Sequence, residues 1–263
     1  MRALSIASTG MLAQQTNVDV IANNIANLST TAYKRQRAEF QDLLYQNQTR
    51  VGTSSSDAGT VVPTGIQIGL GVKTGSVYRV HEQGRMVETG NQFDMAINGQ
   101  GFFQITTPTG GTAYTRDGSF QVNAQGQLVN SNGYAVSPGI TVPQGALDVT
   151  VNESGEVLAT IDGADGSEIQ NIGQLDLAVF VNPAGLEATG NNLLTETEAS
   201  GTPITGTPGA DGFGAIEQKF LETSNVDSVT EITQLIAAQR AYEMNSRIIS
   251  TSDEMLQAVS QLR

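Results

Sequence analysis

The sequence predicts an α+β protein. Its N- and C-terminal α-helices form a coiled-coil-like inner domain, and a central all-β domain lies between them. Three observations predict this. Apolar residues recur every seven positions at both ends of the chain. In the middle they alternate every two positions, between turn signals rich in Gly. The net charge of −13 is also confined to that middle.

The first helix follows from residues 1–28. Leu4, Met11, Val18 and Ile25 stand seven apart, and Ala7, Gln14, Ile21 and Leu28 form a second track with one polar defect. Such a stripe packs against other helices. Gly10 costs the helix about 1 kcal/mol relative to Ala, so the helix is weak alone. Asn17, Asp19, Asn23, Asn24 and Asn27 crowd its second half, although Asn and Asp are poor helix formers. A buried Asn in a helical interface fixes register, the role expected of Asn17 and Asn24. For Asn27, that role and local turn chemistry at the helix end are equally good readings. The opening Met1–Ala7 stretch is interrupted by Ser8, Thr9 and Gly10, so no cleaved signal peptide is expected.

Residues 34–75 read as an extended connector. Within it, residues 46–63 are rich in Ser, Thr, Asn, Gln and Gly, a linker-like composition. Ile66, Ile68, Leu70 and Val72 then alternate with smaller or polar residues, as in a half-buried strand. Turn signals follow at Asp117-Gly118, Gln125-Gly126, Asn132-Gly133, Ser154-Gly155 and Asp162-Gly163. Tyr114–Val122 is the clearest hairpin candidate. Leu175, Leu177, Val179 and Val181 alternate again, and residues 199–214 read as a loop leading to the final helix. In that helix, Leu235, Tyr242, Ile249 and Leu256 are seven apart. Ala241, Ile248, Met255 and Leu262 repeat the spacing beside them. The expected domains are therefore 1–33, 34–75, 76–215 and 216–263.

Composition excludes several functions. The chain has no Cys, no Trp and a single His, His81, which removes disulfides, thiol nucleophiles, Cys/His zinc sites and multi-His metal centres. Residues 117–218 carry 13 acidic groups and no Lys or Arg, which argues against nucleic acid as a partner. No run of 18 apolar residues exists to span a membrane. The acidic middle suits a solvated outer surface, and the nearly neutral ends suit self-association.

Enzyme motifs are weak throughout. The 69–75 segment misses the dinucleotide fingerprint by one residue and sits in a strand pattern. Residues 162–168 lack the spacing of a calcium loop. Thr31 and Lys34 echo a nucleophile–lysine pair without a second motif. His81 beside Glu82 reads as structural. A pair of acids in the middle domain leaves glycan hydrolysis or peptidoglycan binding as the reading from another class. No catalytic residue, cofactor or metal ligand is assigned.

Three sets of residues resemble the bacterial flagellar rod and hook family. They are Ile21–Asn27 with Leu28–Lys34 at the start; Gly99–Gln104 and Tyr114–Phe120 in the middle; and Leu221–Val226, Gln239–Asn245 and Ser252–Leu256 at the end. The resemblance covers essentially the whole chain. Length and the 46–63 segment place it nearest the distal-rod branch, with a proximal rod or hook subunit as the alternative.

The resemblance implies a helical polymer whose terminal helices form an inner tube, with the β domain outside. It also implies export through the flagellar type III apparatus. The implied partners are further copies of the chain, proximal rod proteins, the hook protein, the P-ring and L-ring bushing, and the rod cap/muramidase. The implied location is the basal body, spanning the periplasm to the outer membrane. The expected self-assembly residues are Leu4, Met11, Val18, Ile21, Asn24, Ile25, Leu28, Leu235, Tyr242, Ile249 and Leu256. By analogy with the distal rod, residues 46–63, marked by Gln46, Thr53, Ser56, Val62 and Pro63, form a stiffening contact despite their composition.

Overall fold

The computed structural model describes residues 2–49, 65–108, 110–163 and 166–261. They fall into two compact units. One is built from Met1–Ala26, Gln36–Tyr78 and Asp227–Arg263, the other from Asn27–Arg35 and Arg79–Val226. The overall class is α+β, with a helix at each end and strands between.

In the first unit, α1 (Arg2–Ala26) and α2 (Ser228–Gln261) pack against each other. Asp227 starts α2 as its cap: its carboxylate accepts from the Thr230 hydroxyl at 2.5 Å and from the Val229 N–H at 3.3 Å. Glu231 in the first turn complements the positive end of the helix dipole. Two contacts fix how the helices run. Asn24 meets Glu231, and Gly10 meets Asn245. Fourteen residues separate the contacts on each helix, in opposite directions, so the pair is antiparallel in a constant register.

The same unit holds a two-stranded ribbon of β1 (Gln36–Asp42), β2 (Tyr45–Thr49), β3 (Ile66–Gly69) and β4 (Val72–Arg79). β1 pairs with β4, and β2 runs antiparallel to β3 with Tyr45 opposite Gly69. The Leu43 N–H to Gly71 C=O bond (2.9 Å) and the Leu70 N–H to Leu44 C=O bond (3.1 Å) carry the ladder across the junction. The Tyr45 ring covers Gly69, where a Cβ would lie 3.4 Å from it. The half-buried strand expected at 66–72 is corrected here: it breaks at Leu70–Gly71, and Ile66 and Leu70 are exposed. A two-stranded ribbon is too small to bury both faces of its own strands.

The second unit is all β. Its strands are β5 (Met86–Glu88), β6 (Met95–Asn98), β7 (Phe102–Thr106), β8 (Thr112–Thr115), β9 (Gln121–Val122), β10 (Leu128–Val129), β11 (Ala146–Val151), β12 (Glu156–Gly163), β13 (Gly166–Gln174), β14 (Leu177–Val179), β15 (Glu187–Gly190), β16 (Leu193–Thr195), β17 (Ile204–Gly206), β18 (Ala215–Gln218) and β19 (Phe220–Glu222). A six-stranded antiparallel sheet has the order β15-β16-β8-β7-β14-β17. Beside it are the three-stranded meander β11-β12-β13 and the pairs β6–β18, β5–β19 and β9–β10. Phe103, Ile105, Leu177 and Leu193 join a larger core with Phe120, Val157 and Ile216. Phe102, Tyr114, Ala178, Phe180 and Leu186 form a second cluster.

Four expectations change in this unit. Tyr114–Val122 is not a hairpin, because β8 pairs with β7 and β16 whereas β9 pairs with β10. Asp117-Gly118 makes a corner there, and Gly is required: a Cβ would stand 1.6 Å from the Met95 carbonyl oxygen. The alternation at 175–181 also fails. Leu177 and Ala178 are both buried, one in each cluster, while Val181 is 83% exposed. The 199–214 loop contains β17, which closes the sheet edge against β14. The boundary at 216 falls inside β18, and α2 begins only at Ser228.

Candidate functional site: the helix pair and the buried ion triad

The helix pair presents two kinds of surface. On α2, Glu231, Ala238 and Ser252 are buried, and Leu235, Asn245 and Ile249 are half-buried. The inward face therefore alternates an apolar track with a small or polar one. This corrects the second track expected at Ala241, Ile248, Met255 and Leu262. Ile248 and Met255 face outward, only Ala241 is partly covered, and Leu262 lies outside the described residues. Close approach of two helices selects small side chains where they meet: Gly10 faces Asn245, and Ala7, Ala13 and Ala238 are the buried small side chains of the pair.

Of the expected self-assembly residues, Ile21 and Asn24 are buried within the subunit. Leu4, Met11, Val18, Ile25, Leu235 and Ile249 are half-buried. Leu28, Tyr242 and Leu256 are exposed. Val18 and Tyr242 line one cleft of about 410 Å³ with Gln15, Gln239 and Glu243. Residues that the seven-residue pattern missed are more exposed still: Leu12 at 62%, Val229 at 70% and Met244 at 60%, with Ile232 and Ile236 beside them. Their signal was available as apolar residues off the main stripe.

The asparagine cluster divides by role. Asn24 is buried, and its Nδ2 donates to Glu231 Oε2 at 3.2 Å. Its side chain also holds both backbone groups of Gln36. Asn17 is only half-buried. Asn27 follows the turn reading: it accepts from the Thr30 hydroxyl at 3.1 Å and, through its carbonyl, from the Thr30 N–H at 3.2 Å.

In the β unit, the quoted signature segments converge on one carboxylate. Lys34 Nζ lies 2.5 Å from Glu222 Oε1, and Arg116 Nε lies 2.9 Å from Glu222 Oε2. The Gly84 N–H donates to Oε1 at 2.7 Å. Arg116 also donates to the carbonyls of Gly99, Gly101 and Ile97, and Lys34 to that of Glu82. Asn225 accepts from the Arg35 N–H and donates to the Val80 carbonyl. Burial by itself pushes the Glu222 carboxyl up, but Arg116, Lys34 and the Gly84 N–H together hold it below its ordinary value. Burial pushes the Lys34 ammonium below its ordinary value despite Glu222. Lys34 is thus an ion-pair partner rather than a base for Thr31.

His81 stands beside this triad. Its ring meets Phe102 edge-on at 5.8 Å, and its Nδ1 is buried with no hydrogen-bond partner among the described residues. Burial, then the nearby Lys34, Arg79 and Arg116 cations, push its pKa down to about 4, so the ring is neutral at pH 7. Among the described residues, no three His, Asp or Glu side chains converge as a metal site, and no helix is long and apolar enough to cross a membrane. Gln46 is exposed in β2, whereas Thr53, Ser56, Val62 and Pro63 lie outside the described residues.

Lys34, Arg116 and Glu222 each fall where a family model matches the chain, and the matches define a protein of the flagellar hook and rod class. Residues 4–34 match the flagella basal body rod protein model. Residues 96–159 match the flagellar hook protein FlgE/F/G D1 domain, and residues 217–262 the flagellar basal body rod FlgEFG protein C-terminal model. The flagellar basal-body rod protein FlgG of Caulobacter vibrioides is 57% identical over the full length of both chains. That of Agrobacterium fabrum is 53% identical over 99% of this chain and 98% of its own. That of Borreliella burgdorferi is 46% identical over 100% of this chain and 99% of its own. The chain belongs to the FlgG family of flagellar basal-body rod proteins and is a structural subunit of the flagellum.

Proposed function

We propose that the chain builds the distal rod, polymerising into a rigid hollow shaft that carries motor torque to the hook and through which later export substrates pass. The observation that carries this reading is the outward apolar face of the helix pair. Leu12, Val229, Ile232, Ile236, Met244 and Ile248 are exposed in a single copy. Several large apolar side chains on one helix are unusual on a surface that stays in water. Further copies of the chain would cover them. An interface between unlike surfaces that does not close on itself grows into a filament.

In this reading the half-buried stripe of Leu4, Met11, Val18, Ile25, Leu235 and Ile249, with Tyr242 and Leu256, completes a coiled-coil-like inner tube. The segment marked by Gln46, Thr53, Ser56, Val62 and Pro63 stiffens the shaft at intermediate radius. Proximal rod proteins lie below and the hook protein above. The P-ring and L-ring surround the acidic β unit on the path from periplasm to outer membrane. The type III apparatus delivers each copy, and the rod cap/muramidase receives it.

Electron microscopy of basal bodies from a strain lacking only this chain tests the reading. A rod that stops short, without hook or outer rings, is the expected result. A finished rod without a hook would move the chain to the hook, and intact flagella would overturn the reading altogether.

A further inference from the structure

We infer that Asn24 and Thr9 pin the ribbon along α1, so that helix and ribbon act as one splinted element; this rests on the rod reading above. The first pin is bidentate. Asn24 Oδ1 accepts from the Gln36 N–H at 2.8 Å, and Asn24 Nδ2 donates to the Gln36 carbonyl at 2.9 Å. A carboxamide used this way offers the same donor and acceptor as a neighbouring peptide group. The second pin is at the break between β3 and β4. Thr9 Oγ1 accepts from the Val72 N–H at 3.4 Å while donating to the Ile6 carbonyl at 2.8 Å. Gly71 sits against it with φ +122°, and a Cβ there would lie 2.2 Å from Thr9 Oγ1.

The spacing of the pins shows how the ribbon lies. Thr9 and Asn24 are fifteen residues apart, about 22 Å along a helix. Gln36 and Leu43, which bonds to Gly71, are seven residues apart, about 23 Å along a strand. Equal lengths between two shared points mean that the ribbon runs alongside α1 rather than crossing it. One pin would leave a hinge. Two pins this far apart make bending of the helix stretch or compress the ribbon, which resists. Beyond the second pin, β2 and β3 continue with Leu44 and Tyr45 exposed.

The test compares Thr9→Val, which keeps the shape and removes the acceptor, with Thr9→Ser, which keeps the acceptor. Amide hydrogen exchange is read on the full-length chain in purified basal bodies, together with rod curvature. The expected result for Thr9→Val is loss of protection at Val72 and its neighbours, unchanged exchange around Glu222, and rods that curve. Thr9→Ser should match the parent in both. Asn24→Ala should lose protection at Gln36. Straight Thr9→Val rods with parental protection at Val72 would overturn the splint. Absence of the unaltered chain from the basal bodies would instead remove the rod reading on which it rests.

Discussion

Gly10 in α1 faces Asn245 in α2 so closely that a Cβ on Gly10 would stand 2.9 Å from Asn245 Nδ2. The position that looks like a weakness in helix propensity is where the two helices approach. Ala at position 10 gains about 1 kcal/mol of propensity but forces the Asn245 side chain aside. Gly10→Ala should therefore change assembly little, and Gly10→Ala with Asn245→Ala should assemble at least as well as the parent. Gly10→Leu should block assembly, since no end of a side chain can clear that volume. Rod formation in a complementation assay checks this series, and normal rods from Gly10→Leu would refute the contact.

Glu222 is neutralised by two buried cations, so removing its charge leaves both unpaired. Glu222→Gln should destabilise the β unit by about 3–5 kcal/mol, measured by thermal unfolding. The pH dependence has a definite sign. The carboxyl is held below its ordinary value in the folded chain. Its contribution is thus present above the unfolded value and lost as pH falls through the folded one. Stability of the β unit should decline below about pH 4.5 in the parent, and less in Glu222→Gln.

His81 acts in a higher window. Its folded pKa is near 4 against an ordinary 6.5. Between those values the unfolded chain takes up a proton that the folded chain refuses, so stability falls as pH drops from 6.5 to 4. The full effect is about 3 kcal/mol. His81→Asn should flatten that limb in a series of melting curves. An unchanged slope would mean that the ring titrates normally in the fold.

The terminal helices and the β class were legible because periodicity reports burial directly. Of the expected stripe on α2, Leu235 and Ile249 are half-buried, whereas Tyr242 and Leu256 are exposed. The second track on α2 is not legible because the inward positions there are Glu231, Ala238 and Ser252, which are buried, and Asn245, which is half-buried, and hydropathy gives such residues no weight. Pairing in the β unit was less legible. Asp117-Gly118 looks like a hairpin turn, yet Gly118 is there for the approach of the Met95 carbonyl, a contact that no local pattern announces. The triad was hidden for the same reason. Lys34, Arg116 and Glu222 each lie in a quoted segment, but nothing in one segment says that it meets another.

Residues 46–63 read as a linker by composition, whereas Gln46 and its neighbours lie in a paired strand. Deleting 46–63 should leave a chain that still polymerises but gives a bent, hook-like product. Electron micrographs of basal bodies carrying the deletion would show it, and a straight rod would end the stiffening role.

The central claim, that further copies cover the outer helix faces, can be read with a single thiol. The parent chain has no Cys, so Ile248→Cys is the one reactive site in it. Maleimide labelling should be fast in the purified monomeric chain and at least tenfold slower in intact basal bodies, with Val181→Cys as a β-unit control for access. Equal labelling of Ile248→Cys in monomer and rod would contradict the account.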